Sequence, residues 1–323
     1  MKKQKQKLFK LLVRIFSIFS AIYAINRLIF YFSTKHEKLF SKHGQYYKHK
    51  HGNIFYTKTG QGTPLLLLHD LDCCSSEYEW HKVVQTFAKK YTVYTVDLLG
   101  CGRSDKPRIT YTSYLYVQIL TDFICNIIGE QPNVIATGNS VPITIMIEKF
   151  KKNTFSHMIF VNPVDFYNAS KMPSKRDLYL KYLLELPIVG TFIYCCHTTS
   201  STLWKRFYTK YLATSPSDTL SYLARYHEAA HLKGSASKYL FSSQVCNFLG
   251  CNVIAKYIDI STPTCVILGE FMEYQTDISD WSIFLNSNTE VAIIPNCKFL
   301  PQIEKSEEFS DICETYLENG TIE

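Results

Sequence analysis

Short apolar runs and stretches with helical spacing alternate along the middle of the chain. Four consecutive leucines, Leu65–Leu68, are typical of a buried strand, and apolar residues then recur with helical spacing over 77–90. Strands that alternate with helices predict a mostly parallel sheet with helices on both faces, which is an α/β fold. The other predicted strands are 51–62, 91–96, 133–136, 156–161, 263–269 and 290–295, and the other predicted helices of this pattern are 112–128, 143–150 and 304–316.

The alternation is interrupted at residues 166–258, which are rich in Tyr, Leu, Phe and Ser. The spacing of apolar residues predicts helices there, near 174–197, 202–212 and 217–231. We therefore expect a helical insertion between two parts of one α/β core, 51–165 and 259–323.

The N-terminal part differs from the rest of the chain. Residues 1–10 are rich in lysine, and residues 11–33 are mostly apolar and long enough to cross a bilayer as a helix. Arg14 and Arg27 interrupt this stretch, and both side chains are able to reach lipid headgroups from near the two faces of a bilayer. We expect a membrane-spanning helix, with an interfacial helix and a helix packed on the domain as alternatives. Residues 34–50 form a basic linker.

The net charge of +7 is concentrated in the first 50 residues. They hold 12 of the 35 Lys and Arg residues but one of the 28 acidic residues, so the remainder holds 23 basic and 27 acidic residues. This distribution excludes a basic nucleic-acid surface on the main domain, and it suits contact with anionic lipid headgroups near the N-terminus.

Eleven cysteines are present, an odd number, and many lie in apolar runs, where a free thiol behaves as a small apolar group. The chain contains no Cys-x-x-Cys pair, and Cys246 and Cys251 have no second pair to complete a zinc site. We therefore predict reduced thiols and no metal or other cofactor.

A serine follows the predicted strand 133–136 at the point where a helix begins. Gly138 precedes Ser140 by two positions, and a sharp turn from strand to helix favours such a glycine. Pro142 is compatible with the first turn of the following helix.

This pattern and three others resemble the motifs of the α/β-hydrolase fold family. The match covers about residues 50–165 and 260–318, and the chain resembles a membrane-tethered bacterial member of that family. The resemblance implies an α/β-hydrolase fold in which residues 166–258 form a helical lid over the substrate pocket. The motifs are Leu65–His69, Asp97–Pro107, Gly138–Ser140 and Phe160–Pro163.

The resemblance also implies roles for individual residues. Ser140 stands at the family nucleophile position, and the backbone N–H groups of Leu71 and Val141 match the oxyanion hole. The usual acid position holds Met272, which leaves Asp165 or Glu273 as the acid.

The family histidine position holds Phe299, which has no atom that accepts a proton, so the general base is unknown. His69 belongs to a strand-end motif and is expected to fix the oxyanion loop by hydrogen bonds. His81, His227 and His231 are the remaining candidates. His227 and His231 also form a His-Glu-x-x-His pattern with Glu228, which we interpret as coincidental because no third zinc ligand accompanies it.

Two hypotheses for function remain open. The first is a membrane-associated serine hydrolase, similar to an esterase or lipase, that acts weakly or by a non-standard mechanism on a small acyl or ester substrate. The second is a catalytically inactive pseudo-hydrolase that acts as a binding or scaffold protein. Both include membrane lipid as a partner, and we expect the domain on the cytoplasmic side of the membrane.

Overall fold

The computed structural model describes residues 2–214, 218–273, 278, 286 and 288–322. Its strands are β1 (Gln45–His49), β2 (Gly52–Thr59), β3 (Thr63–Leu68), β4 (Tyr91–Val96), β5 (Asn133–Thr137), β6 (Met158–Val161), β7 (Thr264–Gly269) and β8 (Thr289–Ile294). These eight strands of the described residues form one sheet in the order β1-β2-β4-β3-β5-β6-β7-β8. The β1–β2 and β2–β4 pairs are antiparallel, and every other pair is parallel.

The sheet has an apolar layer on each face, as the α/β prediction requires. Alternate leucines of β3 point to opposite sides: Leu65 and Leu67 join one buried cluster, and Leu66 and Leu68 join the other. A strand that is buried on both faces explains why its sequence is a continuous apolar run rather than an alternating one.

Helices cover both faces and fill the region between β6 and β7. They are Lys2–Thr34, Val84–Phe87, Ser113–Phe123, Val141–Phe150, Phe166–Ala169, Lys175–Glu185, Val189–His197, Ser200–Arg206, Thr219–His231, Lys238–Val245, Ile254–Tyr257, Pro301–Glu304 and Ser306–Asn319. Short 3₁₀ turns occur at Glu77–Trp80, Gly138–Ser140 and Gly234–Ser237, and π-helical turns at Ile124–Ile128 and Phe207–Tyr211.

Two elements differ from the sequence prediction. The predicted helical run 174–197 is two helices that meet at 94°, with Pro187 at the break. Proline lacks the N–H that a continuous helix needs at that position. In addition, Gln45–His49 lies within the predicted basic linker but forms β1, an edge strand whose polar side chains carry little of the apolar pattern that identifies the central strands.

The N-terminal helix Lys2–Thr34 has a free part and a docked part. The side chains of residues 3–21 are all exposed, whereas Asn26 is buried and its Nδ2 donates a hydrogen bond to the Ile188 carbonyl at 3.2 Å. The Phe30 ring packs against the His231 ring with 5.4 Å between centroids. Residues 3–34 form a helix long and apolar enough to cross a membrane, and an 18-residue window within it has a mean hydropathy of 1.9.

Candidate active site

A cavity of about 560 Å³ lies at the carboxyl ends of the parallel strands. It is lined by segments that follow four strands: Asp70 after β3, Gly138 after β5, Asp165 after β6 and Met272 after β7. Ligands bind at this edge of open α/β sheets, because loops from several strands converge there. We call this cavity the β5 pocket, and it is the candidate active site.

The sharp turn at the end of β5 is made by Gly138 and not by Ser140. Gly138 directly follows β5 and has φ +55°, in the left-handed region that favours glycine, whereas Ser140 has φ −80° and ψ −19°, which is helical. In the α/β-hydrolase fold the nucleophile occupies the strained residue of this turn. Gly138, which has no side chain, therefore stands where the geometry places a nucleophile.

The hydroxyl of Ser140 faces the core of the protein. The residue is fully buried, its Oγ donates a hydrogen bond to the His69 carbonyl at 2.5 Å, and it is not among the residues that line the β5 pocket. The expectation that Ser140 projects into a covered cavity is therefore corrected. The serine is already in the first helical turn, and that turn points its side chain back toward the sheet.

The predicted oxyanion donors are also revised. The Val141 N–H donates to the Gly138 carbonyl and closes the turn, so it is not free to bind a ligand. Asn139 lines the β5 pocket, so its N–H is the amide of this turn that lies on the pocket side. That N–H donates a hydrogen bond to Asp70 Oδ1 at 2.8 Å. The Leu71 N–H, the other predicted donor, also faces the Asp70 carboxyl group and favours its ionised form, which lowers the pKa of Asp70 slightly. A side chain of the protein thus occupies the place where these two amides meet.

Asp70 belongs to a buried pair of acids. Its backbone N–H donates to Glu79 Oε2 at 3.1 Å, and Glu79 Oε1 accepts from the Tyr226 hydroxyl at 2.8 Å. Burial raises the pKa of Asp70 to about 7, with a smaller contribution from the negative charge of Asp72. Burial together with Asp70 raises the pKa of Glu79 to about 8. Glu79 is consequently mostly protonated at neutral pH, and Asp70 is close to its midpoint.

Phe299 lies against the same turn. A Cβ built on Gly138 would stand 2.7 Å from Phe299 Cζ and 2.5 Å from Asp70 Oδ1. The ring also stacks on Tyr211 of the insertion, with 5.5 Å between centroids. The phenyl ring therefore faces the tip of the turn, at the position where the resemblance places the histidine.

His69 has the structural role that the sequence predicted for it. Its Nε2 accepts a hydrogen bond from the Leu98 N–H at 3.0 Å, so Nδ1 carries the proton and donates to the Asp70 carbonyl at 2.6 Å. Burial lowers the pKa of this imidazole, which is consistent with the neutral form. Both ring nitrogens are engaged, and the side chain holds the loop that carries Asp70.

The two candidate acids lie at the pocket but do not orient a base. Asp165 accepts hydrogen bonds from the Tyr167 and Asn168 N–H groups at 3.1 and 3.2 Å, and so caps the short helix Phe166–Ala169. Glu273 lines the pocket and is exposed. Neither carboxylate has an ion-pair partner among the described residues.

The His-Glu-x-x-His pattern has a structural explanation other than zinc. Glu228 accepts hydrogen bonds from the Lys38 and Leu39 N–H groups at 2.7 and 3.4 Å, so its carboxylate fastens the linker to the insertion. His231 Nδ1 bonds to the His227 carbonyl at 2.6 Å. Within the described ranges, the side chains spaced for a metal are a different set, Asp72 with its neighbours Cys73 and Cys74.

The remaining predictions on histidine and cysteine concern local packing. His81 stacks on Tyr78 with 4.1 Å between ring centroids and does not line the β5 pocket. All eleven cysteines are free thiols, and nine of them are buried.

Residues of the insertion that the sequence did not single out complete the pocket. Arg206 hydrogen-bonds to His197 and lies 3.9 Å from the Asp72 carboxylate. Burial, with Arg206 adding to it, lowers the pKa of His197 to about 4. The helical periodicity of the insertion predicted its helices but carried no signal for which of their side chains reach the pocket.

Comparison with known proteins agrees with this architecture. A family model described as "alpha/beta hydrolase fold" matches residues 63–178. A 2-hydroxy-6-oxo-6-(2'-aminophenyl)hexa-2,4-dienoic acid hydrolase of Metapseudomonas resinovorans is 34% identical over 87 residues, which is 27% of this chain and 30% of the relative. A soluble epoxide hydrolase of Corynebacterium sp. (strain C12) is 44% identical over 54 residues, 17% of this chain and 18% of the relative. The alignments thus span less than a third of these curated relatives.

Solved structures match over a greater length. A serine hydrolase involved in carbazole degradation has a TM-score of 0.70 at 16% identity and covers 85% of this chain and 98% of its own. A membrane phospholipase A has a TM-score of 0.68 at 16% identity and covers 98% of both chains. Together with the eight-stranded sheet, these matches show that the chain has the α/β-hydrolase fold.

Proposed function

We propose that this chain is a membrane-anchored pseudo-hydrolase that binds a small acyl or ester ligand in the β5 pocket without cleaving it. The observation that carries the proposal is the placement of Ser140, whose hydroxyl is buried and bonded to the His69 carbonyl while Gly138 takes the tip of the turn. A serine attacks a carbonyl only when its oxygen reaches the substrate and a base accepts its proton.

The environment of Gly138 supports the same conclusion. Phe299 brings a hydrocarbon ring to the turn in place of a proton acceptor, and Asp70 accepts the Asn139 N–H that an oxyanion would need. An anionic intermediate next to the Asp70 carboxylate would also meet a like charge whenever that group is ionised. Nucleophile, base and oxyanion hole are therefore all altered at one place.

A binding role fits the cavity that remains. Phe271, Met272 and Phe299 give the β5 pocket an apolar wall, which suits an acyl chain. The fold neighbours described as a serine hydrolase and a membrane phospholipase A support a ligand with an acyl or ester group. Calorimetric titration with decanoate as the probe is expected to give binding that is weaker in Phe271→Asp.

The N-terminal helix supplies the anchor in this proposal. The eleven free thiols favour a domain on the reducing, cytoplasmic side of the membrane. Cys125 is exposed, so a membrane-impermeant maleimide is expected to label it in cells only after permeabilisation.

The decisive experiment is reaction of the purified full-length protein with a fluorophosphonate probe. We expect no labelling that depends on Ser140 and no turnover of short-chain esters, so that wild type and Ser140→Ala give the same result. Labelling that disappears in Ser140→Ala, together with ester turnover, would instead establish the serine-hydrolase alternative.

A reconstruction variant provides the positive control. Phe299→His alone adds an imidazole with no hydroxyl opposite it, so we expect no gain in ester hydrolysis. Gly138→Ser, Met272→Asp and Phe299→His restore a nucleophile, an acid and a base, and Asp70→Gly removes the carboxylate that a side chain at position 138 would meet. The four substitutions combined are expected to bring labelling at position 138.

A further inference from the structure

A second cavity, of about 510 Å³, lies where the N-terminal helix meets the insertion. We call it the junction cavity. Asn26 and Arg27 line it from the helix, Lys238 and Ile188 from the insertion, and Arg108 from the loop that follows β4. It is separate from the β5 pocket, because the two cavities have no lining residue in common.

The position of the junction cavity along the N-terminal helix corresponds to the headgroup level of a bilayer. Residues 8–25 are a stretch of 18, which extends about 27 Å at 1.5 Å per residue and so nearly spans a hydrocarbon core of about 30 Å. Asn26 and Arg27 follow directly after this stretch. A bilayer centred on this stretch would place the headgroups of one leaflet at the level of the cavity.

The charge of the junction cavity is positive. Arg27, Arg108 and Lys238 line it, and no acidic side chain is found among its described lining residues. Arg27 and Arg108 have no carboxylate within ion-pair distance in the described ranges. One guanidinium group can donate two parallel hydrogen bonds to two oxygens of a phosphate. The side chains of Arg27 and Arg108 are therefore suited to bind a phosphodiester.

Two buried polar groups face the same cavity. Lys238 is 3% exposed, and its Nζ donates to the Leu186 carbonyl at 2.8 Å and to Thr191 Oγ1 at 3.1 Å, which leaves one of its three N–H bonds without an acceptor among the described residues. Asn26 is also 3% exposed, and its Oδ1 is a buried acceptor with no partner in the described part of the chain. The Lys238 Nζ also lies 5.6 Å from the centroid of the Tyr239 ring. The two buried groups are suited to a ligand that both accepts and donates hydrogen bonds.

From these contacts we propose that the junction cavity binds the headgroup of an anionic glycerophospholipid that carries a free hydroxyl, such as phosphatidylglycerol. The phosphodiester lies between Arg27, Arg108 and the third N–H of Lys238. A small turn of the buried Asn26 amide toward the cavity would let Oδ1 accept a hydrogen bond from the headgroup hydroxyl, which a phosphodiester oxygen is unable to donate. Tyr23, Phe30 and Tyr239 form the apolar wall beside the glycerol backbone and the acyl chains.

This inference rests on the anchoring part of the proposed function and not on the chemistry of the β5 pocket. A lipid held here would join the N-terminal helix to the insertion, since its headgroup contacts both. It would thereby fix the orientation of the domain at the membrane surface.

The test uses the full-length protein purified in dodecyl maltoside, to which dioleoyl phosphatidylglycerol or dioleoyl phosphatidylcholine is added. Native mass spectrometry counts bound lipid, and thermal unfolding reports stabilisation. We expect one phosphatidylglycerol to remain bound and to raise the Tm, with binding at least about tenfold weaker for phosphatidylcholine, because zwitterionic lipid has no net charge and its headgroup lacks the hydroxyl.

Arg108→Gln is the main variant and Arg176→Gln its matched control, since both arginines are exposed but Arg176 does not line the cavity. Arg108→Gln is expected to weaken phosphatidylglycerol binding about tenfold, whereas Arg176→Gln leaves it unchanged. Asn26→Leu is expected to reduce the preference for phosphatidylglycerol over phosphatidylmethanol, an anionic phosphodiester whose headgroup lacks the hydroxyl. The Tm without lipid confirms that each variant is folded.

Equal effects of Arg108→Gln and Arg176→Gln, or equal binding of phosphatidylglycerol and phosphatidylcholine, would overturn the proposal. Soluble glycerol 3-phosphate is tested in the same assay. If it raises the Tm as much as phosphatidylglycerol does, the cavity is a site for a free phosphate compound and not for a lipid. The assay takes place in detergent and does not report on the β5 pocket. Its failure is therefore distinguishable from labelling at Ser140 and from loss of membrane insertion.

Discussion

At the scale of single residues, Gly138, Asp70 and Phe299 share one small volume at the end of β5. Any side chain at position 138 meets a carboxylate oxygen and an aromatic carbon at less than 3 Å. Asp70 and Phe299 thus fit beside position 138 only because that residue is a glycine. A serine nucleophile cannot be restored at this turn without replacing both of its neighbours.

Gly138→Ala is expected to destabilise the protein more than a glycine substitution that adds only backbone strain. Gly129 is the matched control, because it also has positive φ (+75°), but a Cβ added there would have no described atom within 4 Å. Backbone strain costs about 1 kcal/mol in both variants, and crowding adds roughly 1–3 kcal/mol at Gly138 alone. Thermal unfolding measures the difference, and equal losses for the two variants would contradict it.

The buried pair Asp70 and Glu79 predicts that the folded state loses stability as the pH rises. Both pKa values are raised on folding, to about 7 and about 8, so the folded state binds more protons than the unfolded state above pH 4. Between pH 6.5 and 8 the contribution of these two groups to the free energy of unfolding is expected to fall by about 2 kcal/mol.

The buried histidines act in the opposite direction at the lower end of this pH range. Burial lowers the pKa of His197 and His231 to about 4, so both are neutral in the folded state, and the protein loses stability as their unfolded forms, with a pKa of about 6.5, gain a proton. Chemical denaturation across pH 6.5–8 is therefore compared between the wild type and Asp70→Asn with Glu79→Gln, and the fall due to the acids is expected as the difference between the two proteins. Equal slopes in the two proteins would assign the pH dependence to other groups.

At the scale of elements, most of the sheet could be predicted because buried parallel strands are continuous apolar runs. The site could not be predicted to the same depth. Gly138 and Phe299 are far apart in the sequence, and which residue of Gly138–Asn139–Ser140 forms the tip of the turn depends on where β5 ends. β5 extends to Thr137, one residue beyond the predicted strand, and that extension brings Gly138 to the tip.

The attachment of the linker to the insertion gives a prediction at this scale. Glu228 accepts two backbone N–H groups of the linker, and Arg103 Nη1 donates to the Leu39 carbonyl at 2.9 Å. In Glu228→Ala both N–H groups lose a charged acceptor, so local opening is expected to be at least about tenfold more frequent. Limited digestion with trypsin at Lys35, Lys38 and Lys42 should accelerate accordingly.

Glu185→Ala is the control for this digestion. Glu185 also lies in the insertion, but it hydrogen-bonds to Lys181 and Ser242 and not to the linker. Its substitution should leave cleavage of the linker unchanged. Equal acceleration in the two variants would mean that either substitution destabilises the whole insertion. The hydrogen bonds of Glu228 to the linker would then have no specific effect on cleavage.

At the scale of the whole molecule, the free part of the N-terminal helix is an apolar surface that the described chain leaves uncovered. Ile15 and Phe19 are 41% and 38% exposed, and no residue of the 18-residue apolar window is buried. We expect the full-length protein to stay in the membrane during alkaline carbonate extraction. Ile15→Asp with Phe19→Asp places two charges at bilayer depth, each costing about 3 kcal/mol, and should release the protein from the membrane.

Leu220→Asp with Ile293→Asp is the control. It adds the same charge to exposed apolar residues of the domain and should leave the protein in the membrane. Release of the unmodified protein by carbonate would show that the helix does not span the membrane, and would leave the pocket at Gly138 as a site in a peripheral protein.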